Sequence, residues 1–102
     1  MNHQNVEVGT IFYTSWGYEQ TNVNFYEVIK LVGKCTLVLQ ELEQILIPDS
    51  RDSLSGNTKP VPSSYIGKPF RKRINTDGFV KISSCQLGMV WDGKTLSYSR
   101  YA

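Results

Sequence analysis

The segment VNFYEVIKLVGKCTLVLQEL, Val23–Leu42, decides the fold. Val23–Val32 is dense in β-branched and aromatic residues, which favour a pleated, half-buried surface. Alternation puts Phe25, Ile29 and Leu31 on one face with Glu27, and Tyr26, Val28 and Val32 on the other with Lys30. A strand covered in part on both sides is therefore predicted. Gly33-Lys34 separates it from Cys35–Leu42. A glycine between two β-type runs supplies positive φ cheaply and signals an antiparallel hairpin. Over Leu37–Ile47 two readings stay open: Leu39, Leu42 and Leu46 have near-helical spacing, while Thr36, Val38 and Ile45 favour a strand.

Working outward, GTIFYTSW (Gly9–Trp16) reads as a strand before the first. Downstream, Phe70–Ile74 and Phe79–Cys85 flank Asn75-Thr76-Asp77-Gly78, a hairpin marked by its Asp-Gly pair. Met89–Trp91 and Thr95–Tyr98 flank Asp92-Gly93 and predict a final hairpin. All four prolines fall within Pro48–Pro69, among Ser, Asp, Gly and Asn, a texture that predicts a long Pro/Ser-rich loop. Loops of that length are often functional. Residues 1–7 are polar and expected to be flexible. The expectation is an all-β single domain over residues 1–102, a small barrel or strongly bent antiparallel sheet of six or seven strands.

The 40% apolar content is ordinary for a globular chain of 102 residues. Cys35 and Cys85 have no CxxC spacing and no secretory pattern opens the chain, so a disulfide framework is not expected and a cytoplasmic setting is. No apolar run approaches the ~18 residues of a membrane helix. The net charge of +2 divides unevenly, −4 over residues 1–50 and +6 over 51–102, a bias that suggests an anionic partner for the second half.

The densest candidate site is SWGYEQTNVNFY, Ser15–Tyr26. Trp16, Tyr18 and Tyr26 offer contact area with a polar tip, and Glu19, Gln20 and Asn22 can read hydrogen-bond patterns from a turn. The competing reading has Trp16 and Phe25 packing the core while Thr21 and Asn22 shape the turn. A second candidate is KPFRKR, Lys68–Arg73, where Arg71 and Arg73 point to one side of a strand and Lys72 to the other. Such cations can hold phosphates or blunt a sheet edge against aggregation. Trp91 and Arg100 complete the candidates, as a stacking ring and a further cation. Glu19, Glu27, Glu41 and Glu43 would favour DNA mimicry or a basic protein partner if they cluster.

Catalytic apparatus is sparse. His3 is the only histidine and lies in the polar N-terminus, and HExxH, GxSxG, paired cysteines and phosphate-binding glycine loops are missing. No catalytic residue, metal or cofactor is expected. One enzymatic alternative remains, a histidine-independent ribonuclease using Arg71, Arg73, Arg100, Tyr98 and Glu19.

The run SWGYEQTNVNFYEV, with FRKR before a Gly-containing turn and a closing WDGKTLSYSRYA, resembles a group of small uncharacterised proteins encoded by bacteriophages, prophages and plasmids. The resemblance covers most of the chain outside the Pro-rich segment. It implies a mobile-element origin and a bacterial cytoplasm, and it carries no activity or site residue with it. The leading expectation is an accessory protein that binds a host protein or ribonucleoprotein complex and inhibits a defence system such as an RNA-guided nuclease. The alternative is a nucleic-acid-binding β-barrel in which Arg71, Lys72, Arg73 and Arg100 hold phosphates while Trp16, Tyr18 or Trp91 stack bases.

Overall fold

A computed structural model describes residues 6–17, 21–33, 35–48, 55–75, 78–83 and 86–99. Seven strands follow one another: β1 (Ile11–Trp16), β2 (Asn22–Val32), β3 (Thr36–Pro48), β4 (Ser55–Arg73), β5 (Val80–Ser83), β6 (Gln86–Val90) and β7 (Leu96–Ser99). They form an antiparallel sheet in the order β5-β6-β1-β2-β3-β4-β7. The end strands β5 and β7 do not pair with each other, so the sheet stays open and bent instead of closing into a barrel. The described residues contain no helix, and so none long and apolar enough to cross a membrane.

The β2–β3 hairpin forms as its sequence predicts, with Gly33 at φ +60° in the turn. Leu37–Ile47 is strand throughout, because both edges of β3 find backbone partners along Leu37–Leu42 and β4 alone continues the pairing to Pro48. A bulge between Val28 and Lys30 shifts the β2–β3 register and turns Leu31 toward the Tyr26 and Val28 side, where it faces Leu37. The simple alternation that grouped Leu31 with Phe25 fails at that bulge.

Two cores result, one on each face. Phe12, Tyr26, Val28, Leu37, Leu39, Ile74 and Val80 pack on one side, and Ile11, Val23, Phe25, Leu42 and Tyr98 on the other. Strands β5 and β6 fold over the first face. β7 folds over the second, where Ser99 and Thr21 exchange backbone hydrogen bonds of 3.1 Å each. Of the N-terminal residues 1–7 only Val6 and Glu7 are described: Val6 is buried in the first core and the Glu7 amide donates to Thr10 Oγ1 at 3.0 Å.

The predicted loop over Pro48–Pro69 is overturned where it is described: Ser55–Pro69 lies within β4, while residues 49–54 are outside the described residues. Two bulges accommodate what a regular ladder rejects. Between the pairs Gln44↔Pro60 and Leu42↔Tyr65, and between Glu41↔Ile66 and Leu39↔Phe70, β4 carries more residues than β3. These surplus residues include Pro62, Ser63 at φ +64°, Gly67 at φ +72° and Pro69. Side chains secure both bulges. Glu27 accepts from the Ser63 amide at 3.3 Å and the Tyr65 hydroxyl at 2.5 Å, and Gln40 Nε2 donates to the Gly67 carbonyl at 2.9 Å.

The expected hairpin of Phe70–Ile74 with Phe79–Cys85 is reduced to its base: a single bridge joins Ile74 and Val80, Asn75 N donates to Phe79 O at 2.8 Å and Phe79 N to Asn75 Oδ1 at 2.9 Å, while β4 and β5 form no ladder and residues 76 and 77 lie outside the described residues. The expected hairpin between Met89–Trp91 and Thr95–Tyr98 does not form. β6 pairs with β1 and β5, whereas β7 crosses to pair with Ser55–Thr58 of β4. Tyr98 reaches the second core only from that position.

Gly56 separates a strand from a loop experimentally. An added Cβ there would overlap the Ile47 carbonyl oxygen and come within 2.7 Å of Pro48 Cα. In an unstrained loop Gly→Ala stabilises by about 0.4–1 kcal/mol. Gly56→Ala is expected to lower the urea midpoint, and an unchanged or raised midpoint would contradict this pairing of β3 with β4.

Candidate functional site

The β2–β3 ladder ends at Phe25↔Leu42, and from there the two strands part. β2 continues toward Thr21 and its contact with Ser99, while β3 runs on beside β4 to Pro48. A groove of about 350 Å³ occupies the fork. Trp16, Asn22 and Asn24 line one side, Gln44 and Leu46 the other, and Tyr98 the base with Thr21 and Val23. Gln44 spans the gap with its side chain: Nε2 donates to the Val23 carbonyl at 2.8 Å, and Oε1 accepts from the buried Thr58 hydroxyl at 2.6 Å.

Trp16 is held in place. Its Nε1 donates to Asn24 Oδ1 at 2.7 Å, and Asn24 Nδ2 donates to Glu41 Oε2 at 2.9 Å. The chain of contacts continues beneath, where Thr14, wholly buried, lies beside Tyr26 and donates to Gln86 at 3.4 Å. Register explains the gathering, since Thr14 faces Asn24, Phe12 faces Tyr26 and Tyr26 faces Glu41, all on the first face of the sheet. Burial pushes the Tyr26 phenol up to about 12, and the Glu41 carboxylate adds to the rise against a smaller opposing effect of Thr14.

Next to Glu41 the β3 extension is unusual. Among the described residues no strand pairs with the β2-facing edge of Glu43–Pro48. Three consecutive apolar side chains there, Ile45, Leu46 and Ile47, are 45%, 39% and 43% exposed. An open apolar strand edge is a template for another chain, which proteins ordinarily blunt with charge, proline or a cover. Among the described residues Glu43 and Pro48 do so only at the two ends of the segment, leaving Ile45–Ile47 between them without charge or proline.

The sequence candidates fall into separate places. Trp16 and Asn22 line the groove, and Tyr26 and Lys72 line a second cavity of about 400 Å³ with Glu41, Ile66, Phe70 and Ile82. Tyr26 and Phe70 meet edge to face there, with ring centroids 5.6 Å apart. Arg71 and Arg73 lie exposed on the opposite face from Lys72. Trp91 packs edge to face on Phe25 at 6.1 Å and donates through Nε1 to the Lys94 carbonyl at 2.7 Å. Tyr18, Glu19, Gln20 and Arg100 lie outside the described residues. Glu41 and Glu43 share the first face, while Glu27 is buried on the second beneath Ser63 and Tyr65. Tyr98 packs in the second core, well along β3 from the register positions of Arg71 and Arg73.

Asn24, Gln44 and Leu46 are groove residues that sequence reasoning missed. Asn24 stood inside the quoted motif, and its alternation with Asn22 was the available signal. Nothing local marks Gln44 and Leu46, because their placement depends on the fork. Among the described residues no group of three or more His, Cys, Asp or Glu is placed to hold a metal ion.

Tyr26 yields a titration test. With its folded value raised above the ordinary 10.0, the neutral phenol's contribution is complete below pH 10 and is lost as pH rises through about 12. The urea midpoint is expected to fall across that window, and less steeply in Tyr26→Phe. Equal slopes for both proteins would show that Tyr26 ionises as freely as an exposed phenol.

No protein-family model, curated protein or solved structure matches this chain.

Proposed function

We propose that this protein acts by binding another protein, capturing an extended segment along the open edge of β3 with a side chain seated in the groove beside it. The carrying observation is the juxtaposition of a free strand edge, Glu43–Pro48, with a polar and aromatic groove at the β2–β3 fork. Added strands draw affinity from main-chain hydrogen bonds and specificity from pockets for alternate side chains. Trp16 and Tyr98 supply rigid contact area, and Asn22, Asn24 and Gln44 supply donors and acceptors around it. The phage and plasmid resemblance gives the biological setting: an accessory protein of a mobile element acting in the bacterial cytoplasm on a host complex, with an RNA-guided defence nuclease as the target class. Binding accounts for the structure without a catalytic residue.

The test is affinity capture from bacterial host cells with mass spectrometry, run on the native chain and on Ile45→Lys/Ile47→Lys. Both isoleucines are exposed, so the thermal midpoint should change little. A host complex retained by the native chain is expected to be lost from the double variant, and from Trp16→Ala by tenfold or more. Retention by all three proteins would move the interface elsewhere.

A further inference from the structure

At the end of the sheet remote from the groove, no described strand packs on the second face, which carries a set of cations from two strands. Lys30 pairs with Val38 and Val38 with Arg71, so these three side chains form one cross-strand row. Val32, Thr36 and Arg73 form the next row on the same face. Lys30, Arg71 and Arg73 are exposed, with only aliphatic and hydroxyl side chains between them. The neighbouring row adds Gln40 and Glu27, and Glu27 is buried and engaged by Ser63 and Tyr65. Lys72 leaves this face for the cavity beneath Phe70 on the other.

We infer that this face docks the phosphate backbone of a single-stranded nucleic acid, without reading its sequence. Arg71 and Arg73 stand two residues apart on one strand, about 7 Å, and Lys30 lies across one intervening strand, about 10 Å away. Cations in that triangle complement successive phosphates of a flexible strand that can bend across both rows. A stiff duplex cannot bend in this way to bring successive phosphates to both rows. No aromatic ring lies in these two rows, so base stacking contributes nothing and affinity comes from counterion release. The face is separate from the β3 edge and does not depend on the protein-capture proposal.

Fluorescence anisotropy of labelled oligo(dT) with the intact protein tests the inference. Three phosphate contacts on a single strand predict a slope of log K against log salt of about −2, or about a 20-fold loss of affinity from about 50 to about 200 mM salt. Lys30→Ala/Arg71→Ala/Arg73→Ala is expected to lose tenfold or more in affinity and most of the slope. Lys72→Ala, on the other face, is expected to bind as the native chain does, and Arg71→Lys to keep the slope. No binding at about 50 mM salt, a flat salt dependence, equal loss in Lys72→Ala, or tighter binding of a matched duplex would overturn it. Binding of polyglutamate in place of the oligonucleotide would overturn it too, by assigning the face to an acidic protein.

Discussion

Phe25 and Tyr26 are neighbours on one strand and both are buried. In a strand, neighbouring side chains leave on opposite faces. The sheet must therefore be covered on both sides at its centre, and Ile11 and Phe12 impose the same demand on β1. A chain of this length satisfies it by bending the two ends of one sheet onto opposite faces. β5 and β6 cover Tyr26 and Phe12, and β4 with β7 brings Tyr98 over Phe25 and Leu42. Among the described residues, each core then leaves the reverse of its own sheet segment without a covering strand. One such surface carries Lys30, Arg71 and Arg73, and the other carries Ile45 and Ile47.

β3 and β4 make that arrangement possible. They run side by side from Thr36↔Arg73 to Pro48↔Gly56 and set the long dimension of the molecule, 46 Å against 26 and 23 Å. Beyond the reach of β7, β4 has one edge without a strand partner among the described residues. That edge is rich in proline, lysine and arginine, which discourage pairing with another chain. The β3 edge beyond Leu42 lacks these features except at its last residue. The contrast between a guarded edge and an apolar open one is a physical reason to look for a partner at β3.

The polar contacts from Trp16 through Asn24 to Glu41 tie three strands together at the mouth of the groove. Trp16 can present its ring in a set orientation because its only polar atom is engaged. Interfaces favour such anchors, since little side-chain entropy remains to be lost on binding. Trp91 serves the opposite end: its ring is consumed by Phe25 and the second core. The same residue type is an available anchor at one position and a packing element at the other, and strand register decides which.

Local chemistry by itself determined the all-β character and the Gly33 hairpin, because φ preference, β-branching and side-chain alternation act over a few residues. It also placed Arg71 and Arg73 opposite Lys72, and marked Trp16 and Asn22 as surface to examine. Tertiary structure decided the rest. Pro62 and Pro69 fit within β4 at bulges, which Glu27 and Gln40 reach across to secure. β7 joins β4, not β6, because Tyr98 is needed over Phe25 and Leu42. Lys30 meets Arg71 through Val38, and Gln44 enters the groove because β2 and β3 part after Phe25. Each of these rests on pairing between residues distant in sequence, whose free energy depends on what both strands bury together, and no single stretch of the chain contains that information.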